Sequence, residues 1–249
     1  MKRFLVIGIG CGDPDLLTLQ AVAAIASADV FVVLDKGEVT ADLVALRHAI
    51  LARHAAPHHR VLVVDDTRRD ATAPYAEGVR QWHHERVLAL EQLFADRVGA
   101  DETAAILVWG DPAIYDSTLR VVDEIQARGR VPFVVQVVPG ISSVQLLAAR
   151  HRIPLHRVGG SVHITTGRNL ASRGVDGLDD IVVLLDGAET FHQFTAEPFD
   201  LFWGAYLGTP DELLLAGPLA DVADEVVRVR RESRSRKGWI FDVYHLRRR

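Results

Sequence analysis

Leu107-Val108-Trp109-Gly110-Asp111-Pro112-Ala113-Ile114-Tyr115 is where an apolar run meets a glycine, an aspartate and a proline. Residues 104–109 carry no polar alternation, the pattern of a strand buried on both faces of a parallel sheet. Gly110-Asp111-Pro112 cannot extend that strand, because proline lacks the N–H that a ladder needs. The same design opens the chain: residues 4–9 are an apolar run, broken by Gly8-Ile9-Gly10-Cys11-Gly12-Asp13-Pro14. A third apolar run, residues 133–138, stops at Pro139-Gly140-Ile141-Ser142-Ser143.

Outward from these stops, helical spacing of apolar residues covers 16–28, 42–53, 75–98 and 117–127, the last halted at Gly129. Two further β-branched runs, 30–34 and 61–64, complete five strands alternating with helices. Beyond Pro139-Gly140 the rhythm changes. A helix at 142–150 is followed by strand-like runs at 162–165, 181–185, 201–207, 212–218 and 239–245, with less helix between them. This predicts an α/β chain in two lobes, a parallel-sheet lobe over 1–138 and a mixed-sheet lobe over 139–249. Residues 169–180, rich in Gly, Asp, Ser and Arg, read as an open loop.

Hydrophobic residues at 49% and charged residues at 24% exclude a disordered chain or a coiled coil. A net charge of -5 argues against a nucleic-acid binder held by bulk electrostatics. The last 22 residues carry nine Lys/Arg, which read as a solvated face. A single cysteine, Cys11, excludes an internal disulfide and a multi-cysteine metal site. The pairs His58-His59 and His83-His84 lack partners at ligand spacing, so no metal is expected. No stretch reaches membrane-spanning length and the opening apolar run is too short for a signal segment, which points to a cytoplasmic protein.

Open α/β sheets bind ligands at the carboxyl ends of their strands, so the three stops should gather on one rim. Gly8 to Pro14 is not a dinucleotide loop: Asp13 would repel a pyrophosphate and Pro14 removes a backbone donor. Asp35 does follow the second strand, which leaves a nicotinamide-dependent oxidoreductase as an alternative. On that rim Gly110 permits close backbone approach, Asp111 offers negative charge to a cationic ligand, and Ser142 and Ser143 offer hydroxyls or N–H groups at a helix start. Any one Gly-Asp-Pro, alone, is also an ordinary turn.

Taken together, residues 8–19, Gly110-Asp111-Pro112, Pro139-Gly140-Ile141-Ser142-Ser143 and Thr166-Gly167-Arg168 resemble the tetrapyrrole methylase family in order and spacing along almost the whole chain. The resemblance implies two α/β lobes, S-adenosylmethionine as cofactor with S-adenosylhomocysteine as product, a tetrapyrrole substrate and a homodimer; the charge and hydropathy read above point to neither nucleic acid nor membrane as partner. Carried over by motif, the cofactor-contacting positions are Trp109, Gly110, Asp111, Ile114, Ser142 and Ser143, then Leu185 or Asp186, and Gly208. Asp35, Asp111 and Tyr115 are the candidates for proton handling, with a strand-end turn and a structural tyrosine as alternatives for Asp35 and Tyr115. Arg120 and Arg168 lie nearest the motifs as partners for substrate carboxylates, with an ordinary surface charge as the alternative for each. Departures from the family pattern are Cys11 where proline is common, Trp109 where many relatives have a second glycine, and Leu34 where they have tyrosine.

Residues 203–212 and 238–242, with Trp109, narrow the resemblance to the branch of aerobic cobalamin synthesis that methylates precorrin-5 at C-1 and releases acetate. A different precorrin remains an alternative acceptor.

Overall fold

The computed structural model describes residues 1–35, 41–65 and 75–249, without the side chains of residues 35, 41, 42, 65, 75, 76 and 79. The chain divides into two compact units, Met1–Gly10 with Pro14–Ile141 and Cys11–Asp13 with Ser142–Arg249.

In the first unit β1 (Arg3–Gly8), β2 (Val30–Asp35), β3 (Arg60–Asp65), β4 (Thr103–Val108) and β5 (Val134–Val138) form a parallel sheet in the order β3-β2-β4-β1-β5. Alternation along each strand sends successive side chains to opposite faces. Leu5, Ile7, Ala105 and Leu107 therefore pack with α1 (Leu19–Ala26) and α2 (Ala41–His54). Phe4, Val6, Ala104 and Ile106 pack with α3 (Tyr75–Arg97) and α4 (Thr118–Arg128). The connections leaving β1 and β4 thus depart toward opposite faces and opposite edges. The carboxyl ends of these neighbouring strands are the switch point at which such sheets bind ligands.

The helix expected over residues 16–28 is shorter. Pro14–Leu16 forms a 3-10 turn, and the Thr18 hydroxyl then accepts the N–H of Ala21 at 3.0 Å, capping α1 at Leu19. Helix α4 ends at Gly129, in the left-handed region at φ 65°.

The second unit contains α5 (Ser143–His151), β6 (Val162–Thr166), α6 (Gly167–Arg173), β7 (Asp180–Leu184), β8 (Phe199–Ala205), β9 (Leu213–Pro218), α7 (Leu219–Lys237) and β10 (Asp242–Arg248). Its sheet runs β6-β7-β10-β8-β9, with β6 parallel to β7 and the remaining pairs antiparallel. Trp203, Tyr244, Phe191 and Phe199 fill the core beneath α7.

Three expectations change here. The stretch 169–180 begins as helix, because the Thr166 hydroxyl accepts the Asn169 N–H and starts α6. The last strand begins at Asp242 rather than 239: Gly238 ends α7 at φ 78°, and the Trp239 carbonyl is taken by the Tyr206 hydroxyl at 2.7 Å. The basic end is paired rather than simply solvated. Arg228 binds Glu225 and Glu232, Arg231 binds Glu189, Arg247 binds Asp180, and Arg230 is buried. Among the described residues no helix is long and apolar enough to cross a membrane.

Candidate functional site

At the carboxyl end of the first sheet, the three strand stops meet backbone to backbone. Gly110 donates its N–H to the Gly10 carbonyl at 2.7 Å and Gly10 returns one to Gly110 at 3.2 Å. Both residues stand at positive φ, 71° for Gly10 and 69° for Gly110, where glycine alone is unstrained. A Cβ at Gly140 would overlap the Gly110 carbonyl and the Gly8 backbone. The close approach that Gly110 permits is therefore made by the neighbouring turns themselves.

Asp111 ties the same turns together. Its Oδ1 accepts the Ala113 N–H at 2.8 Å and its Oδ2 accepts the Gly140 N–H at 2.9 Å. Trp109 packs partly buried against the α1–α2 side of the sheet, and Ile114 donates its N–H to the Asp111 carbonyl at 3.1 Å. Tyr115 follows at φ 50°, a costly conformation for an aromatic residue, and stands 44% exposed. Burial of its phenol pushes the pKa up, so the hydroxyl stays a donor at neutral pH. Asp35 is the last residue of β2, in register with Asp65 of β3; its side chain lies outside the described residues. The Cys11 thiol is buried and pushed up to about 12, which keeps it neutral.

Arg47 was not singled out by any motif. From α2 it reaches the carboxyl end of β4, where its Nε donates to the Leu107 carbonyl at 3.4 Å and its Nη1 to the Leu43 carbonyl at 3.2 Å. Arg120 lies exposed on α4, and Arg168 exposed on α6.

In the second unit Ser142 caps α5. Its hydroxyl accepts the Val144 N–H at 3.3 Å and bonds the Gln145 side chain, whose Oε1 accepts the Ser142 N–H at 3.0 Å. This capping box holds the Ser142 hydroxyl inside its own helix, while Ser143 is half-buried in the first turn. Leu185, just past β7, stands at φ 53° and is 64% exposed. Asp186 turns inward. Its carboxylate accepts the N–H of Ala188 at 3.0 Å, the N–H of Thr190 at 2.7 Å, the Thr190 hydroxyl at 2.9 Å and the Tyr244 hydroxyl at 2.8 Å. Burial and the Asp186 charge push the Tyr244 phenol well above its usual value, so it donates throughout the neutral range.

Arg230 anchors the backbone of this turn by donating to the Asp186 carbonyl at 2.6 Å, and its Nε pairs with Asp242 at 2.8 Å. A side chain at Gly167 would overlap the Asp186 carboxylate, so that helix start requires glycine. Of the two positions left open in sequence, Leu185 is thus the one presented outward. Gly208, at φ 75°, donates its N–H to Glu212 at 2.8 Å, and Glu212 also pairs with Arg150. Among the described residues no cluster of three or more His, Cys, Asp or Glu side chains is placed to hold a metal ion.

Comparison with known proteins places this architecture. Residues 3–223 match the family described as Tetrapyrrole (Corrin/Porphyrin) Methylases. Precorrin-6A synthase (deacetylating) of Sinorhizobium sp is 41% identical over 99% of this chain and 95% of its own length. The crystal structure of a cobalamin synthesis related protein (CobF) from Corynebacterium diphtheriae is 38% identical with a TM-score of 0.87, covering 99% of this chain and 98% of that one. The chloroplastic S-adenosyl-L-methionine-dependent uroporphyrinogen III methyltransferase of Arabidopsis thaliana is 36% identical over 66% of this chain and 38% of its own length. With a family match that spans most of the chain and a relative alike along nearly all of both lengths, this protein belongs to the tetrapyrrole methylase family.

Proposed function

We propose that this chain is an S-adenosylmethionine-dependent C-methyltransferase of cobalamin biosynthesis, which methylates precorrin-5 at C-1 and releases acetate to give precorrin-6A. The observation that carries this reading is the 41% identity to a precorrin-6A synthase (deacetylating) across 99% of this chain and 95% of that relative. None of the relatives described above favours the nicotinamide alternative.

When bound, S-adenosylmethionine supplies an electrophilic methyl group on a sulfonium. Much of the rate of such an in-line transfer comes from holding the reacting atoms in place. In the first unit we assign cofactor binding to Trp109, Gly110, Asp111 and Ile114: two apolar side chains flank a turn that is rigid because its backbone is bonded to Gly10 and its Asp111 carboxylate accepts the Gly140 N–H. In the second unit we assign it to Ser142, Ser143, Leu185 and Gly208. The capping box directs Ser142 to act through its helix rather than through its hydroxyl.

Deacetylation needs a base for the attacking water and a donor for the developing oxyanion. Asp35 is the proposed base. Tyr115, whose phenol remains protonated, is the proposed donor. Asp111 is better suited to positioning than to carrying protons, because backbone N–H groups hold both of its oxygens. Kinship also supports a homodimer, which light scattering on the purified chain tests.

Incubation with precorrin-5 and methyl-labelled S-adenosylmethionine decides the function. Labelled product with an equal amount of acetate is expected. Labelled product without acetate would move the chain to another precorrin reaction, and binding of NAD without binding of S-adenosylhomocysteine would overturn the methylase reading.

A further inference from the structure

Strand β2 pairs with β4 only from Val30↔Ala104 to Val32↔Ile106. Beyond that point β2 continues beside β3 as far as Asp35↔Asp65, while β4 continues beside β1 as far as Gly8↔Val108. The two strands therefore part at their carboxyl ends, next to the β1–β4 switch point. Arg47 reaches from α2 toward this parting and bonds Leu107, the first β4 residue past the shared pairing.

Its guanidinium is poorly satisfied there. An arginine fork carries five N–H donors, and withdrawn cations are ordinarily paired with an anion. Among the described residues Arg47 makes two bonds, both to backbone carbonyls and both longer than the usual 2.9–3.0 Å of N–H···O contacts. Among the described residues no carboxylate lies within ion-pair distance of it; Asp116 acts only at longer range, and burial works against the charge more strongly than Asp116 supports it. Arg230, buried where Arg47 is half-buried, holds Asp242 and the Asp186 carbonyl at 2.8 and 2.6 Å. Leu107 lies two residues before Trp109, which sets this cation beside the loop assigned to cofactor binding.

We infer that Arg47 is a carboxylate-binding group of this site, gripping a carboxylate of the bound ligands at the parting of β2 and β4. The geometry suits a planar carboxylate, which an arginine fork takes with two parallel hydrogen bonds. This rests on the methylase reading, in which two ligands bring such a group: the tetrapyrrole through its acetate and propionate arms, and the cofactor through its methionine carboxylate.

The test uses the full chain and the variants Arg47→Gln and Arg47→Lys. Three quantities are read: KM and kcat with precorrin-5, affinity for S-adenosylhomocysteine by calorimetry, and affinity for uroporphyrin as free acid and as methyl ester. Loss of a charge-assisted bidentate contact predicts about tenfold or greater weakening of one ligand in Arg47→Gln, partial recovery in Arg47→Lys, and kcat within a few-fold of the parent. A shift in precorrin-5 KM, with uroporphyrin ester binding unchanged, assigns the contact to a tetrapyrrole arm. A shift in S-adenosylhomocysteine affinity assigns it to the cofactor. Should Arg47→Gln fail to fold, Arg47→Lys keeps the charge and still loses the fork, so a several-fold weakening is expected there.

Unchanged affinity for every ligand in a folded variant overturns the inference. A parent protein that binds these ligands but does not convert precorrin-5 overturns the functional reading instead, and leaves the Arg47 comparison intact in the binding measurements.

Discussion

Asp111 Oδ2 accepts the backbone N–H of Gly140 at 2.9 Å, tying the turn after β4 to the turn after β5 across β1. The second oxygen of the same carboxylate holds Ala113. An amide in its place would present one N–H₂ group to a backbone donor. Asp111→Asn is therefore expected to lower stability by about 1–3 kcal/mol, the cost of leaving a partly buried donor unpaired. Because the turn it holds is assigned to cofactor binding, S-adenosylhomocysteine should also bind more weakly. Denaturant unfolding and calorimetry check the two effects, and a variant equal to the parent in both would remove Asp111 from the role of a tie.

Gly140 gives a sharper steric case. Its added Cβ would meet the Gly110 carbonyl and the Gly8 backbone, none of which can turn aside as a side chain could. Gly140→Ala should cost more than about 4 kcal/mol, the range reserved for severe disruptions. Gly177→Ala is the control: it stands at φ 70° with open space around it, so only left-handed strain of about 1–2 kcal/mol is expected. Comparable losses in the two variants would mean that backbone crowding at the three turns is not what Gly140 relieves.

The three turns were legible because their signals are local. A glycine or a proline at a strand end states its conformational demand in two or three residues. What those turns bond was not legible. Nothing near Asp111 in the chain announces Gly140, and nothing near Arg47 announces the Leu107 carbonyl. The Asp186 cluster joins the turn after β7 to residues of α7 and β10 that only tertiary packing brings together. Helix α7 escaped for a different reason. Its residues are mostly charged and its apolar face is sparse, so helical spacing was faint where the tertiary core buries Leu219, Ala223 and Val226 together with Arg230.

For the chemistry, Asp35 closes β2 at the rim where the turns gather. If it takes a proton during turnover, Asp35→Asn should bind S-adenosylhomocysteine with the affinity of the parent while kcat falls roughly a hundredfold or more. A variant with full turnover would exclude Asp35 from the mechanism. One that loses cofactor affinity in proportion to its activity would make it a binding residue instead.

In the second unit, His245 is expected to make stability depend on pH. It is fully buried in β10; a carboxylate can only accept, so the Nε2–H donates to Asp180 Oδ1 at 3.0 Å, and Nδ1 has no hydrogen-bond partner among the described residues. Arg247 Nε holds the same Asp180 oxygen at 2.8 Å. Burial above all, with the Arg247 charge behind it and Asp180 opposing, pushes His245 down to about 4. A folded pKa below the unfolded value of about 6.5 means that the unfolded chain binds the extra proton first. The stabilisation from keeping His245 neutral is therefore complete above about pH 6.5 and is lost progressively as pH falls toward 4, with an upper size of about 3 kcal/mol. Asp180, held below its ordinary value by Arg247 and His245 against the opposing effect of burial, loses its own contribution only in more acid solution. Urea unfolding between pH 8 and 4.5 should show stability falling with acid in the parent. In His245→Phe the fall over this window should be largely absent, even though the variant starts from lower stability with Asp180 short of one donor. An equal fall in both proteins would place the acid sensitivity on other groups.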